Sequence, residues 1–248
     1  MENGRRPEEH ADRQSDEARE EGERLRAMRA FVESHDPSSK EVEDSVLRRF
    51  LRARDLQVEM GGGLLLKYLK WRREFLPNGG VVESEILNDI GHNKAFIQGF
   101  DKHARPIAVV FGARHFPNKH LDEFRRFIVC LFDKLCARIP AGQEKFVVIA
   151  DLQGWGYSNM DIRGYLGIFS ILQDFYPERL GRLFMIHVPR LFATAWKIVY
   201  PFIDTKTRTK IIFVESRMLK STLLEEIDED QLPEIYGGRQ PLVPMHHV

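Results

Sequence analysis

The sequence predicts an α/β fold in which a helical N-terminal lobe precedes a mixed, partly parallel sheet with helices packed on it. Three observations support this class. From about residue 86 onward, short apolar runs alternate with longer amphipathic segments, a pattern typical of strands connected by helices. The first 85 residues contain helical periodicity instead. With 248 residues and 43% hydrophobic side chains, the chain is long enough to bury a core and enclose a cavity.

The N-terminal part of the chain divides by composition. Segment 1–24 is dense in charge and has almost nothing to bury, so we expect it to be mobile. A helical lobe is predicted for 25–85, with helices at 45–55 and 64–75. Gly61, Gly62 and Gly63 precede the second helix, and we expect them to form a turn because each glycine costs about 1 kcal/mol inside a helix.

Residues 86–239 are predicted to form the second domain, followed by a polar tail at 240–248. Strands are expected at 96–100, 106–111, 146–150, 183–188 and 211–215, and helices at 121–139, 162–176 and 191–200. The first two strands flank a polar turn and are predicted to form a hairpin. The run 146–150 is apolar throughout, as expected of a strand covered on both faces. Connections between the later parallel strands should be right-handed crossovers.

Composition excludes several classes of protein. Lys and Arg total 37 and Asp and Glu total 37, so a chain of zero net charge has no surplus of cations to coat nucleic acid. Two cysteines, Cys130 and Cys136, do not make a disulfide-stapled secreted scaffold. No apolar stretch approaches the roughly 18–20 residues that span a bilayer. We therefore expect a cytoplasmic protein.

Motifs of enzyme chemistry are missing from the sequence. It has no phosphate-binding loop, dinucleotide fingerprint, nucleophile elbow or H-E-x-x-H helix, so no catalytic activity is expected. His115 and His120 straddle Phe116-Pro117 without a third ligand at suitable spacing, and we expect no metal site there. The D-x-x-G at 151–154 is interpreted as a turn after a strand.

Two features of the sequence stand out and leave alternatives open. On the helical wheel of 45–55, Arg54 falls about 80° from Val46, in the middle of the apolar stripe. Either the helix ends there and Arg54 turns to water, or its guanidinium is buried and needs a carboxylate or a ligand phosphate. The segment 191–203 is apolar nearly all round. It is either a central core helix or a helix that exchanges one apolar environment for another.

Several motifs in order resemble one family. The sequences LRRFLRAR (47–54) and YLKWR (68–72) resemble the helical N-lobe of the CRAL-TRIO lipid-binding family, the Sec-fourteen-like phosphatidylinositol transfer proteins. Further similarities lie in the hairpin at 99–106, VIADLQG at 148–154, YPERLG at 176–181, PFID at 201–204 and LPEIYGG at 232–238. The resemblance covers about residues 40 to 239.

The resemblance implies a closed pocket for one lipid, floored by the sheet and covered by a lid helix with Thr205 to Lys210 as its hinge. Residues at four matching positions are implied to hold the inositol phosphate of phosphatidylinositol: Arg54, Glu178, Thr207 and Lys210. The implied lid residues are Phe192, Trp196, Val199 and Phe202. The chain departs from the family at Asp55, where a basic residue is common, and at Phe146 and Val148, where carriers of phosphatidylcholine have hydroxyl side chains.

The function implied is binding and transfer, or presentation, of phosphatidylinositol by a monomer that contacts membranes peripherally. The only bound group expected is the phospholipid, with a second, less polar lipid as a further ligand and no nucleic acid partner. Two alternatives stay open at this stage. One is a lipid-sensing interaction module for a membrane-trafficking or signalling partner, and the other is a carrier of another hydrophobic ligand such as tocopherol or retinaldehyde.

Overall fold

The computed structural model describes residues 7–117 and 121–248. The chain divides into two compact units between Pro77 and Asn78, somewhat before the boundary predicted at 85/86. Of the segment expected to be mobile, residues 1–6 lie outside the described part of the chain. From Pro7 onward the segment forms the beginning of a helix.

The first unit consists of helices α1 (Pro7–His35), α2 (Asp44–Arg52) and α3 (Val58–Phe75). A 3₁₀ turn at Pro37–Glu41 links α1 to α2, and the Asp36 side chain caps it by accepting from the backbone N–H of Ser38. Apolar side chains from all three helices share one core: Leu25, Met28, Val32, Leu47, Phe50, Leu51, Leu64 and Leu65. This unit is the helical lobe that the periodicity predicts.

The three consecutive glycines lie inside α3, so the predicted turn is wrong. A Cβ on Gly61 would be 3.1 Å from the Cα of Leu51, and one on Gly62 would be 2.5 Å from Cδ1 of Phe31. Gly61 and Gly62 therefore let α3 lie against α2 and α1 more closely than side chains would allow. This close packing offsets their poor helix propensity.

The second unit alternates strands and helices. Its elements are α4 (Leu87–Gly91), β1 (Ala95–Phe100), β2 (Pro106–Phe111), α5 (Leu121–Ala137), β3 (Phe146–Asp151), α6 (Ile162–Phe175), β4 (Leu180–Ile186), α7 (Phe192–Val199), α8 (Thr205–Arg208), β5 (Ile211–Phe213) and α9 (Leu219–Glu226). In the described residues, five strands form one sheet in the order β1-β2-β3-β4-β5. The β1–β2 pair is antiparallel and the other pairs are parallel. This confirms the predicted mixed α/β class, although β4 begins three residues earlier than expected, at 180 rather than 183.

The two faces of the sheet have different surroundings. Along β3, Val147 and Ile149 point into a buried core that also contains Leu223, Ile227 and Tyr236 from the C-terminal segment. The intervening side chains of β3 point to the opposite face, because successive residues of a strand alternate. That opposite face is the floor of the cavity described below.

The predicted polar tail, 240–248, packs along β1. The carbonyl of Val243 accepts from the N–H of Ile97 at 3.1 Å, and its own N–H donates to Oε1 of Gln98 at 2.9 Å. Met245 is buried. The tail therefore covers an edge strand whose backbone groups would otherwise be open to pairing with another chain.

Candidate functional site

One face of the sheet and helices α5, α6 and α7 enclose an apolar cavity. Its empty volume is about 1140 Å³, including the part open to solvent. The sheet contributes Val110, Phe146, Val148, Ala150, Leu183 and Met185. These side chains, with aromatic and aliphatic residues of the helices, give the cavity walls that suit a hydrocarbon ligand.

The segment predicted to be a lid forms one wall of the cavity, as α7 followed by a 3₁₀ turn at Tyr200–Phe202. Phe192, Trp196 and Val199 line the cavity. Phe192 and Val199 are buried there, whereas Trp196 is half-buried and stacks against Phe192 with ring centroids 6.1 Å apart. These three side chains are the inner face of the segment.

Phe202 does not belong to that inner face. Although it is one of the four implied lid residues, it is 63% exposed, and the neighbouring Ile198 is 46% exposed. Tyr200 and Phe213 are also exposed, and their rings lie 5.7 Å and 5.1 Å from that of Trp196.

Two of the four predicted headgroup residues lie together. Glu178 Oε2 is 3.7 Å from Nζ of Lys210 and 3.9 Å from Nζ of Lys145. Lys145 precedes β3, Glu178 precedes β4 and Lys210 precedes β5, so the three residues gather at the amino ends of adjacent parallel strands. Sequence reasoning missed Lys145, although its position directly before a predicted strand was available as a signal. We call Lys145, Glu178 and Lys210 the amino-end cluster.

The amino-end cluster has a net positive charge. It carries two ammonium groups and one carboxylate. Burial is the main reason that the pKa of Lys210 lies below its ordinary value; Glu178 acts against this, and the charge of Lys145 adds to it. Glu178 has a left-handed backbone (φ 57°), which a residue other than glycine adopts at a cost of about 1–3 kcal/mol.

Thr207 lies on α8, between the lid segment and Lys210. Its hydroxyl donates to Asp204 Oδ2 at 2.6 Å, and its N–H donates to Asp204 Oδ1 at 2.8 Å. With its proton engaged, the Thr207 hydroxyl is available to a ligand as an acceptor. Gln173 of α6 fastens the same region: its Oε1 accepts from the N–H of Asp204 at 2.7 Å, and its Nε2 donates to the carbonyl of Phe202 at 3.3 Å.

Arg54, the fourth predicted headgroup residue, belongs to the first compact unit. It follows the end of α2, and its Nη1 donates to the carbonyl of Ala53 at 3.0 Å. The Arg54 side chain is half-buried. It is therefore neither fully turned to water nor fully buried, the two alternatives that the helical wheel left open. Its role toward a ligand stays a prediction.

A second polar group, which sequence reasoning did not find, lies in the cavity wall. Lys94 Nζ pairs with Asp89 and is 3.0 Å from Nδ1 of His115, whose Nε2 is 2.9 Å from Oδ2 of Asp161. Because a lysine ammonium only donates, Nδ1 of His115 is the acceptor and its Nε2–H donates to Asp161. Tyr165 continues the wall beside His115, with ring centroids 6.3 Å apart. We call Asp89, Lys94, His115, Asp161 and Tyr165 the carboxyl-end cluster.

The carboxyl-end cluster lies where β2 and β3 end. Lys94 directly precedes β1, and its carbonyl accepts from the N–H of Phe111, the last residue of β2. Burial lowers the pKa of Lys94, against the opposing effect of Asp89. Burial alone would raise the pKa of Asp161, but hydrogen bonds from His115 and from the backbone of Gly164 hold it below its ordinary value.

The described residues contain no group of three or more His, Cys, Asp or Glu side chains that could hold a metal ion. His120, one of the two histidines considered from the sequence, lies outside them. In the same part of the chain, no helix combines the length and apolar character needed to cross a membrane.

Comparisons with known proteins converge on one family. The family model described as the CRAL/TRIO domain matches residues 91–238. Patellin-4 of Arabidopsis thaliana is 29% identical over 79% of this chain and 38% of its own length. The phosphatidylinositol/phosphatidylcholine transfer protein SFH12 of Arabidopsis thaliana is 30% identical over 87% of this chain and 44% of its own length. The Sec14 cytosolic factor of Schizosaccharomyces pombe is 29% identical over 79% of this chain and 75% of its own length.

The chain thus spans less than half of the length of patellin-4 and of SFH12. Among solved structures, the crystal structure of Sfh5 superimposes with a TM-score of 0.65 at 17% identity, covering 90% of this chain and 85% of that one. At this identity the superposition supports the fold.

Proposed function

The chain belongs to the CRAL/TRIO domain family, and from that premise we propose that it binds one phospholipid, with phosphatidylinositol preferred, and transfers or presents it at membranes. The observation that carries the proposal is an apolar cavity with the amino-end cluster beside its wall. Phe146 and Leu180 line the cavity, and each lies within two residues of a member of that cluster. An acyl chain can enter the cavity while an anionic headgroup stays at its edge.

The headgroup must decide which lipid is chosen. Two acyl chains bury about 30 methylenes at roughly 0.8 kcal/mol each relative to water. A bilayer provides almost the same burial, so this contribution nearly cancels when a lipid moves from membrane to cavity. Selectivity then rests on the polar contacts at the amino ends of the strands.

We assign the phosphate to the ammonium group of Lys210 and the inositol hydroxyls to Glu178 and Thr207. Lysine neutralises a phosphate as a point charge. The ring hydroxyls of inositol can donate hydrogen bonds to the carboxylate of Glu178 and to the hydroxyl of Thr207, which both act as acceptors. The role of Arg54, which belongs to the first compact unit, stays a prediction of the resemblance. Lys145 adds a positive charge at the same place.

Phosphatidylcholine should be a poor ligand. Phe146 and Val148 both line the cavity, and neither offers a hydrogen bond to a choline phosphate placed against β3. Burying a phosphate without partners is costly. The name of SFH12 includes both phosphatidylinositol and phosphatidylcholine. We therefore propose that this chain accepts a narrower set of phospholipids than SFH12.

Exchange is proposed to occur at the cytoplasmic surface of a membrane, with the protein attached peripherally, and without catalysis. The inner side chains of the lid segment lose their apolar surroundings if it opens in water. Against a bilayer they gain a new apolar phase, and the exposed Ile198, Tyr200 and Phe202 reach that phase first. The membrane thus removes most of the penalty for opening.

The test is transfer of fluorescent phosphatidylinositol between vesicles, with phosphatidylcholine as the second substrate. Lys210→Met should lower phosphatidylinositol transfer about tenfold or more, since a charge-assisted contact contributes roughly 1.5–3 kcal/mol. Glu178→Gln should lower it less. Lys220→Met is the matched control: Lys220 also pairs with a carboxylate, Glu229 at 3.3 Å, but on the exposed surface of α9.

Unchanged phosphatidylinositol transfer in a folded Lys210→Met protein would contradict the headgroup assignment. Efficient phosphatidylcholine transfer by the wild type would contradict the specificity. If the wild type binds phosphatidylinositol but exchanges it no faster than vesicles do spontaneously, transfer is excluded and presentation to a partner remains.

A further inference from the structure

A short link joins the sheet to the amino end of the lid segment. β4 ends at Ile186 and α7 begins at Phe192, so the link consists of residues 187–191. Three carbonyls of the link accept from the first N–H groups of α7, at 2.9, 3.2 and 3.2 Å: those of Pro189, Arg190 and Leu191. These three residues are therefore bound to α7 as its first turn. His187 and Val188 remain between the strand and the lid.

His187 is the residue at which the link can rotate. A proline restricts the backbone of the residue before it, and Val188 precedes Pro189, whose own φ is fixed by its ring. His187 has a left-handed backbone instead, with φ at 50°, which a residue other than glycine keeps only where its surroundings hold it. A rotation at His187 would release that conformation and displace α7.

A hydrogen bond to the end of β3 holds His187 in place. Its Nδ1 is 2.9 Å from Oδ1 of Asp151, whose side chain is 3% exposed. The same carboxylate accepts from the N–H of Gln153 at 2.9 Å and from the hydroxyl of Tyr236 at 2.8 Å. An ionised carboxylate only accepts, so Nδ1 of His187 carries the hydrogen. Asp151 therefore ties the link to two other parts of the second unit.

Asp151 is the charged group that His187 contacts directly. Tyr236 lies beside His187 with ring centroids 6.4 Å apart, and burial together with the charge of Asp151 raises the pKa of Tyr236, so this phenol stays neutral. The neighbouring elements carry four further charged groups: Arg114 after β2, Glu215 and Arg217 after β5, and Arg190 in the link. All four are exposed, so water screens their charges. The buried carboxylate of Asp151 thus governs how His187 responds to a proton.

Protonation of His187 strengthens its hydrogen bond without any rearrangement. The imidazole is 24% exposed, so protons reach it from water. Its Nε2 has no hydrogen-bonding partner among the residues that the structure describes, and a proton added there leaves the Nδ1–H on Asp151. The bond then joins an imidazolium to a buried carboxylate, and charge-assisted hydrogen bonds are roughly twice as strong as neutral ones. A conformation that keeps the bond is therefore favoured as the pH falls.

We propose that His187 is a positioning residue of the lid: it is the pivot of α7, its bond to Asp151 holds α7 closed, and its protonation slows opening. The inference rests on the proposed function, because it requires that α7 opens for lipid exchange, and it adds regulation by acidity to that exchange. With His187 protonated the cavity keeps its lipid, and near neutral pH it releases the lipid more readily.

The test follows the release of pyrene-labelled dodecane from the full chain to excess phosphatidylcholine vesicles. The pH is varied between about 5.5 and 8, the range in which histidine side chains titrate. Dodecane has no headgroup, so the amino-end cluster takes no part, and phosphatidylcholine keeps its charge across this range. Release from the wild type should be about fivefold slower at the acidic end, because the charge-assisted bond must break before α7 moves.

Two variants of His187 separate the pivot from a general effect of acid. Asparagine keeps a side-chain donor and tolerates a left-handed backbone, but it does not titrate. His187→Asn should therefore release dodecane within about twofold of the wild-type rate at the neutral end, with no slowing in acid. His187→Ala has no donor, so it should release dodecane about threefold faster than the wild type at the neutral end, again without pH dependence.

His103→Asn is the matched control. His103 also lies near a carboxylate, with its Nε2 4.0 Å from Oε2 of Glu226, but it belongs to the turn between β1 and β2. This variant should keep the pH profile of the wild type.

A wild-type release rate that is constant across this range, or that rises in acid, overturns the proposal. Slowing in acid that persists in a His187→Asn protein with a native circular dichroism spectrum overturns it too, since the titrating group would lie elsewhere. A chain that does not bind dodecane overturns this proposal and the proposed function together. Phosphatidylinositol transfer by the same protein is measured in parallel. If transfer fails while the pH profile depends on His187, only the proposed phosphatidylinositol function is contradicted.

Discussion

At the residue scale, the ionisation of Lys210 depends on its neighbour Lys145. Phosphatidylinositol binding should stay constant with rising pH until Lys210 begins to lose its proton, and should then decrease because a neutral amine no longer pairs with the phosphate. Since burial and Lys145 lower the pKa of Lys210, the decrease should begin below about 10.4, where an ordinary lysine titrates. In Lys145→Met the like charge is gone, the pKa of Lys210 rises, and the decrease should move to higher pH.

Equilibrium binding of a fluorescent phosphatidylinositol across the alkaline range measures this shift. Lys145→Arg is the matched control, because it keeps the charge and should keep the wild-type profile. A profile that is the same in wild type and in Lys145→Met would mean that Lys210 does not titrate in response to Lys145.

Single residues also mark the limit of what the sequence could predict about the site. Arg54 could be singled out from the sequence because a helical wheel uses only neighbouring residues, and a cation within an apolar stripe interrupts the expected pattern. Lys94 was not, because its partners are 5 and 21 residues away along the chain and the next bond, from His115 to Asp161, spans 46 residues. Only the fold brings these polar groups together, and no spacing rule anticipates them.

At the element scale, the side chain of Gln173 on α6 forms hydrogen bonds at the end of the lid segment. Gln173 bonds to the backbone of Phe202 and of Asp204, at the end of the segment next to the proposed hinge. Gln173→Leu removes both hydrogen bonds, which together contribute about 1–3 kcal/mol, so phosphatidylinositol exchange should become about fivefold faster or more. Phe202→Asp should act in the opposite direction and slow exchange, because it places a charge on the surface proposed to enter the membrane.

Gln231→Leu serves as the control for Gln173→Leu. Gln231 also bonds to backbone, accepting from the N–H of Phe100 at 3.1 Å, but it lies away from the lid segment. Its loss should affect stability without changing the exchange rate. Equal rates in wild type and Gln173→Leu would show that the contact does not limit opening.

Helices and strands were predicted well where a local sequence pattern determines them, and less well where tertiary packing determines the conformation. The apolar runs of β2 and β3 fix those strands almost to the residue, because a buried strand needs continuous apolar side chains. The glycines of α3 misled the prediction, because propensity treats a glycine in a helix as a loss. Gly61 and Gly62 instead meet the neighbouring helices at distances that leave no room for a side chain.

At the scale of the whole molecule, the parallel strands separate two kinds of polar chemistry. The amino-end cluster lies at the amino ends of β3, β4 and β5, and the carboxyl-end cluster lies at the carboxyl ends of β2 and β3. The cavity runs along the sheet between them. Phe146 and Val148 on one strand belong to its apolar floor, so the hydrocarbon of a bound lipid would lie against β3.

One apolar cavity predicts that a simple hydrocarbon and phosphatidylinositol exclude each other. Protein saturated with pyrene-labelled dodecane should release it in proportion to the phosphatidylinositol taken up from vesicles, and the apparent dissociation constant for dodecane should rise linearly with the amount of phosphatidylinositol offered. Lys210→Met should weaken this displacement without changing dodecane binding, since dodecane has no headgroup. Vesicles of phosphatidylcholine alone are the control and should displace little. A dodecane affinity that is independent of phosphatidylinositol would contradict a single shared cavity.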